Sequence, residues 1–173
     1  GGSRPAVRNR IEAAWGARVI DHAGATEVGP WGYPDSQGKG LHIVESEFIA
    51  EFISVETGQE AVQGELSDLV LTTLGRTGSP LIRYQTGDRV RPRWDEEVTN
   101  QFVFLEGGVI GRADDMLIIR GVNIFPGSVE EILRGFPEVD EYRLVATREG
   151  EMDQLAVEVE DPLGQPGRIA DEL

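Results

Sequence analysis

The sequence contains no cysteine and a single lysine among its 173 residues. Without cysteine, the chain has no disulfide framework, no thiolate metal ligand and no thiol nucleophile of its own. No apolar run approaches the roughly 20 residues that a membrane-spanning helix needs, and the N-terminus lacks the basic and apolar layout of a signal peptide. These absences predict a cytoplasmic protein that does not use a membrane as a partner.

Positive charge is also scarce. The chain has 16 Lys and Arg against 31 Asp and Glu, which gives a formal net charge of -15 at pH 7. Such a surface repels a phosphate backbone, so nucleic acid is not an expected partner. A nucleotide can still bind, because backbone amides, a few local cations and Mg²⁺ can offset the overall field. The charge therefore argues against nucleic acid as a partner but not against ATP.

The first part of the chain, residues 1–31, has the pattern of an αβ unit. Residues 5–15 carry apolar side chains at helical spacing, and residues 18–22 have the composition of a short strand that leads into the segment at 24–27. The stretch at 29–40 is rich in Gly and Pro and predicts turns. We expect this unit to be the last αβ repeat of a larger sheet.

The remainder predicts two further units. Residues 32–113 alternate short β-branched or aromatic segments with turn signals, which is typical of a small antiparallel β subdomain. Residues 114–173 predict a small α+β domain. Its expected elements are a hairpin at 116–124, a helix at about 127–135, and strands at 139–147 and 154–160. The predicted fold class is therefore α+β, with three successive units.

Three polar motifs interrupt this pattern. They are residues 24–27 (Gly-Ala-Thr-Glu), residues 84–88 (Tyr-Gln-Thr-Gly-Asp) and residues 111–130 (GRADDMLIIRGVNIFPGSVE). A hydroxyl can donate to a phosphate oxygen, and a carboxylate is a hard ligand for Mg²⁺. An ionised carboxylate can also accept from both hydroxyls of a vicinal diol. Taken singly, the first motif is more typical of a capped turn with a solvated acid, and the second is more typical of an acid in a β-turn.

In this order and spacing the motifs resemble those of the adenylate-forming superfamily, most closely the phenylacetate-CoA ligases, in which they face one ATP site. The resemblance covers most of the chain but only the latter middle part of a family member. It implies the end of an N-terminal domain followed by the start of a small, mobile C-terminal domain. It also implies ATP or AMP, Mg²⁺ and CoA as the small molecules bound.

The resemblance assigns roles to individual residues. Thr26 would contact the α-phosphate, and Glu27 would hold Mg²⁺, which makes these two the implied catalytic residues. Asp88 would accept hydrogen bonds from both ribose hydroxyls. The other implied nucleotide-binding residues are Gly24, Ala25, Tyr84 and Arg112. Asp114 would be the hinge between the two domains, and Gly121 would lie near the channel for the pantetheine of CoA.

Two family elements are absent from the sequence: the Ser/Thr/Gly-rich phosphate loop and the lysine near the C-terminus that stabilises charge in the adenylation step. Lys39 lies in a Gly-rich loop and cannot replace that lysine by position. The chain alone is therefore not expected to activate an acid without the missing segments of the same protein or a second subunit. Ala23 also occupies a position where many family members have an aromatic side chain that can stack on adenine. A homodimer is a family-level expectation.

The implied function is part of an AMP-forming carboxylate:CoA ligase, acting on an aryl or arylacetic acid such as phenylacetate. Three alternatives stay open on the sequence. A ligase that attaches AMP to a deazaflavin cofactor shares the motifs. A non-catalytic module could keep the ribose-binding half and lack the chemistry. A purely structural β-rich interaction domain would bind neither AMP nor CoA.

Overall fold

The computed structural model describes residues 5–94, 100–136, 139–149 and 152–160. Within these ranges the chain forms two helices, α1 (Pro5–Trp15) and α2 (Pro126–Leu133), and thirteen strands. Every pairing between the strands is antiparallel. The α+β class predicted from the sequence is confirmed.

The strands differ widely in length, from two residues to nine. In chain order they are β1 (Ala23–Ala25), β2 (Gly29–Pro34), β3 (Gly40–Ile43), β4 (Phe48–Ser54), β5 (Ser67–Thr73), β6 (Tyr84–Val90), β7 (Pro92–Arg93), β8 (Phe104–Glu106), β9 (Gly111–Arg112), β10 (Leu117–Ile119), β11 (Val122–Ile124), β12 (Glu141–Glu149) and β13 (Met152–Glu160).

Two sheets share one core. The first has the order β1-β2-β3-β8-β7, and the second has the order β4-β5-β6-β9. Buried apolar residues of both sheets form a single cluster, which includes Trp31, Ile43, Leu71 and Leu105, each with 0% exposure. The two remaining sheets are the hairpins β10-β11 and β12-β13. The β-rich part of the chain is thus stabilised by its own hydrophobic core.

Two local predictions in the first unit are wrong. Residues 18–22 form no strand, and the Gly- and Pro-rich stretch at 29–40 contains β2 rather than only turns. The register of β1 with β2 shifts so that Ala23 pairs with Gly32 and Gly24 pairs with Pro30, which leaves Trp31 as the extra residue of a bulge. Burial of the Trp31 ring in the core outweighs the turn tendency of its Gly and Pro neighbours.

The predictions for the second half are closer to the structure. The hairpin expected at 116–124 is β10-β11, and the expected helix is α2 with Pro126 in its first turn. The two expected later strands pair along nine positions, from Glu141 with Glu160 to Glu149 with Met152. Local periodicity suffices here because each pairing joins neighbouring segments of the sequence.

Helix α1 is confirmed, but it contacts the rest of the chain through its polar side. The Arg8 guanidinium donates to the carbonyl of Gly38, and the Glu12 carboxylate accepts from the backbone N–H of Val19. Its apolar residues point outward, and Trp15 is 82% exposed. The apolar periodicity thus predicted the helix correctly, and its large apolar side chains are exposed in this chain. In the described part of the chain, no helix is long and apolar enough to cross a membrane.

Candidate functional site

The central feature of the site is a bulge in β6 that presents Asp88. Asp68 pairs with Arg89 and Val70 pairs with Gln85, so a step of two residues along β5 faces a step of four along β6. Gly87 takes a positive φ of 77°, which L-residues with side chains rarely adopt. The buried Thr86 hydroxyl donates to the carbonyl of Leu69 and accepts from the Asp88 N–H, at 2.9 and 3.0 Å. The bulge is therefore fixed by internal hydrogen bonds.

The short strand β9 brings Arg112 directly opposite Asp88 in the register. The Arg112 Nη1 donates to the carbonyl oxygen of Thr86 at 2.8 Å and to the Asp88 Oδ1 at 3.3 Å. Backbone hydrogen bonds on both sides hold the strand, from Ala113 N–H to the Gly87 carbonyl and from Ile110 N–H to the Arg89 carbonyl. Asp88 and Arg112, which lie 24 residues apart in the sequence, therefore bring two motifs into one polar cluster.

Arg112 also contacts the residue expected to be the hinge. Its Nε donates to the Asp114 Oδ1 at 3.2 Å. The Asp114 side chain is 72% exposed, whereas that of Asp88 is only 14% exposed. One guanidinium thus links a largely buried carboxylate to an exposed one. The pair of Arg112 with the exposed Asp114 contributes little stability because solvent screens it.

Burial raises the pKa of the Asp88 carboxyl above its usual value, and the nearby Arg112 opposes this rise without cancelling it. Asp114 adds a smaller contribution in the same direction as burial. A largely buried carboxylate that keeps an acceptor edge toward solvent is costly to the fold. A carboxyl whose pKa is shifted by burial and by a specific charged neighbour is a candidate functional group.

The raised pKa predicts that Asp88→Asn is relatively more stable at pH 7 than at pH 4. With a folded-state pKa above the unfolded value, the stabilising contribution of Asp88 is full below the unfolded pKa and is lost as the pH rises through the folded pKa. Asparagine removes this loss. The melting temperature of the variant minus that of the parent chain should therefore increase from pH 4 to pH 7 in thermal unfolding. Asp140→Asn, at an exposed position, controls for the loss of one negative charge. A difference that shrinks with rising pH would contradict the raised pKa.

The first motif lies at the tight connection between β1 and β2. Gly24 and Ala25 belong to β1, where they pair with Pro30 and Gly29, and Thr26 and Glu27 follow in the turn with exposed side chains. Within the described residues, no hydrogen bond or ion pair joins this turn to Asp88 or Arg112. The Arg76 guanidinium donates to the Glu27 carbonyl and ties the turn to the loop after β5. The structure thus leaves the Thr26 hydroxyl and the Glu27 carboxylate open to solvent.

Three other positions singled out in the sequence have distinct environments. Tyr84 begins β6 and packs against the core, so its ring has a structural role in this fold. Ala23 is buried, and its Cβ would lie 3.2 Å from a Cβ added at Gly32. Gly121 forms the turn of the β10-β11 hairpin with Arg120, at positive φ values of 79° and 51°. The hairpin turn is exposed and is not in contact with the Asp88 cluster.

The residues present fit a magnesium site in which the chain supplies one carboxylate and the other ligands come from substrate phosphates and water. Among the described residues, no group of three or more His, Cys, Asp or Glu side chains could hold a metal ion. The Glu27 carboxylate is exposed and is without an ion pair within those same ranges. Because Mg²⁺ is commonly bound by one or two carboxylates together with substrate phosphates and water, a single free carboxylate is compatible with such a site.

A cleft of about 550 Å³ lies beside the cluster and is lined from both sides of Asp114. One wall comes from residues 38–41 and 107–112, and the other comes from residues 115, 125–128 and 131. Arg112 contributes to this cleft, whereas Asp88, Thr26 and Glu27 lie outside its lining. The cleft therefore marks the seam between the segments before and after Asp114. The sequence predicted a boundary at Asp114 but not the cleft that lies along it.

The chain is similar to known proteins over most of its length. Residues 121–169 match the family model described as the AMP-binding enzyme C-terminal domain. A phenylacetate-coenzyme A ligase of Thermus thermophilus is 36% identical over 163 residues, which cover 91% of this chain and 37% of that protein. The chain thus spans about 37% of the length of this curated relative.

Solved structures show the same relationship. A 2-hydroxyisobutyryl-CoA ligase in the postadenylation state, in complex with 2-HIB-AMP, has a TM-score of 0.78 and 31% identity, over 96% of this chain and 36% of its own. The same ligase with 2-HIB-AMP and CoA in its thioesterification state has a TM-score of 0.58 and 30% identity, over 97% of this chain and 37% of its own.

Fold and motifs together define a member of the adenylate-forming superfamily. Within that superfamily the chain is phenylacetate-CoA ligase-like and corresponds to part of such a ligase. The resemblance inferred from the three motifs is confirmed at this level.

Proposed function

We propose that this chain is part of an AMP-forming carboxylate:CoA ligase. In the first step a carboxylate oxygen attacks the α-phosphorus of ATP, and the bond to the pyrophosphate leaving group breaks. In the second step the CoA thiolate attacks the acyl carbonyl carbon, and the bond to AMP breaks. The observation that carries the proposal is the cluster of Asp88, Arg112 and Asp114, because it joins two of the three motifs in space.

Asp88 is suited to hold the ribose. Its carboxylate offers two acceptor oxygens and no donor, so it can take both hydroxyls of a vicinal diol. The bulge fixes its backbone through Thr86, and Arg112 fixes the carboxylate from the side. The contact would therefore be made by a group already held in place, which lowers the entropy cost of binding.

Thr26 and Glu27 would act on the phosphates. The turn after β1 leaves both side chains exposed, so the hydroxyl can donate to an α-phosphate oxygen and the carboxylate can share Mg²⁺ with the phosphates. When bound, the metal would supply charge neutralisation on the pyrophosphate leaving group. Gly24 and Ala25 would position this turn through the pairing of β1 with β2.

The acid substrate that we propose is an aryl or arylacetic acid, with phenylacetate as the first candidate. The support is the name of the relative that is 36% identical over 91% of this chain. CoA would be the thiol substrate, as supported by the solved ligase that holds 2-HIB-AMP and CoA. The segments that complete the site would come from the rest of the same protein or from a second subunit.

We also propose that Asp114 is a hinge and that Gly121 approaches the pantetheine of CoA after rotation. The same solved ligase superposes on this chain with a TM-score of 0.78 in its postadenylation state and 0.58 in its thioesterification state, at nearly equal identity and coverage. A change of arrangement rather than of sequence accounts for that difference. A few residues can absorb such a rotation, and Asp114 is exposed enough to do so.

The proposed reaction can be tested on a complete protein that contains this chain. Incubation with ATP, Mg²⁺, CoA and a panel of carboxylic acids should release pyrophosphate and form acyl-CoA, with the highest kcat/KM for an aryl or arylacetic acid. Mass spectrometry of the product separates acyl-CoA from an adenylated deazaflavin. If neither pyrophosphate nor acyl-CoA appears with any acid, the proposed function is wrong.

A further inference from the structure

A close contact crosses the seam between the two sides of Asp114. Phe125, the residue immediately before α2, is 8% exposed. Its ring lies against Gly111 of β9. An added Cβ on Gly111 would be 2.4 Å from the Phe125 Cδ1 and 3.1 Å from its Cγ. Such a separation is far below van der Waals contact, so the ring occupies space that is available only because residue 111 is glycine.

The contact lies in a place where rotation would break it. Gly111 precedes Asp114 and is held in β9 by its pairing with Arg89, whereas Phe125 follows the β10-β11 hairpin. Both residues line the cleft at the seam. If the chain turns at Asp114, the segment after it carries Phe125 away from Gly111.

We propose that Phe125 and Gly111 form a lock that favours the present arrangement over the rotated one. Phe125 is then a positioning residue: it touches no reacting atom but sets the fraction of molecules in the arrangement that resembles the postadenylation state. This inference rests on the proposed hinge at Asp114. A ring that is buried in one arrangement and released in the other supplies the differential contact that such a preference needs.

The lock predicts a specific effect of a single methyl group. Gly111→Ala would force the ring out of its place and should raise the rotated population by at least about tenfold. Phe125→Ala removes the ring and should raise it to a similar extent. The double variant should resemble Phe125→Ala alone, since the added methyl group then has no ring to displace.

Spin-label distances can measure these populations in the chain as it stands. Because the sequence has no cysteine, Glu56→Cys and Thr147→Cys introduce two unique labelling sites, both at exposed positions on opposite sides of Asp114. Gly78→Ala is the matched control, because a Cβ there meets nothing within 4 Å. We expect one dominant distance in the labelled parent and in the control, and a second distance in Gly111→Ala and Phe125→Ala.

The outcomes separate the lock from the hinge. Two distances in the parent with an unchanged ratio in Gly111→Ala would overturn the lock and leave the hinge standing. A single unchanged distance in every variant would overturn both. Phe125→Leu tests whether loss of folding explains a broad distribution for Phe125→Ala, since leucine keeps an apolar side chain and lacks the ring. Circular dichroism on each variant checks that the β-rich core stays folded.

Discussion

Asp88→Ala is expected to weaken binding of a nonhydrolysable acyl-adenylate mimic to the chain by about 100-fold. The carboxylate would accept from two ribose hydroxyls, and each hydrogen bond to a charged group contributes about 1.5 kcal/mol or more, so their joint loss is about 3 kcal/mol. The side chain is 14% exposed, which limits the ability of water to replace it. Isothermal titration calorimetry on the parent and the variant measures the change.

A ligand with one hydroxyl removed makes this experiment specific for the ribose. The parent chain should bind the 2′-deoxy mimic more weakly than the mimic with both hydroxyls. Asp88→Ala should bind the two ligands equally, because the variant has lost the partner of that hydroxyl. Asp140→Ala, at an exposed position away from the cluster, should bind like the parent. Equal affinity of the parent and Asp88→Ala would rule out Asp88 as the ribose contact, and no binding by either would count against a retained adenylate site.

The sequence was sufficient for the elements that follow Asp114, which are formed by neighbouring residues. The turn at Arg120 and Gly121 joins two short apolar runs, so the β10-β11 hairpin could be predicted from composition and spacing. The same holds for α2, which begins at Pro126, a residue that suits the first turn of a helix. The AMP-binding C-terminal family model begins at residue 121 and so includes β11 and α2.

The sequence was insufficient wherever function depends on long-range register. The pattern over residues 32–113 predicted short strands separated by turns, but the structure has one continuous strand, β6, with a bulge at residues 86–88. The two-residue strand β9 is too short to be recognised from its composition, yet its pairing places Arg112 opposite Asp88. The resemblance to a family supplied these residues without supplying the contact between them.

The burial of apolar residues shows a second limit. Trp31 lies among Gly and Pro residues that predict turns, and only the closed core explains why it sits in a strand. Conversely, α1 carries apolar side chains at helical spacing, but Trp15 is largely exposed in this chain, which spans about 37% of the Thermus relative. Periodicity indicates that a face is apolar, whereas its neighbour in space has to come from the structure.

Arg112→Ala is expected to weaken binding of the same mimic by about tenfold at pH 8 and by more at pH 5.5. The variant loses a guanidinium that holds the Thr86 carbonyl, the Asp88 carboxylate and the Asp114 carboxylate together. Loss of the charge-assisted contact that holds the Asp88 carboxylate accounts for the effect at pH 8, at about 1.5 kcal/mol. Binding at several pH values, measured by calorimetry in buffers of equal ionic strength, tests both parts of the prediction.

The sign of the pH effect follows from the electrostatics of Asp88. In the parent chain burial raises the pKa of this carboxyl and Arg112 opposes the rise. Without Arg112 the pKa rises further, so acidification neutralises the ribose acceptor at a higher pH than in the parent. Affinity should therefore fall more steeply between pH 8 and pH 5.5 in Arg112→Ala than in the parent, and Arg143→Ala, which removes a surface arginine paired with Glu158, should follow the parent.

Arg112→Lys separates charge from geometry at this position. Lysine keeps the positive charge, so the pH dependence of binding should stay close to that of the parent. A single ammonium group cannot reproduce the planar fork that contacts Thr86, Asp88 and Asp114 together, so affinity at pH 8 should still be lower than in the parent. If Arg112→Lys showed the steep pH dependence of Arg112→Ala, the charge of Arg112 would not be what keeps Asp88 ionised, and the site would need another source of that stabilisation.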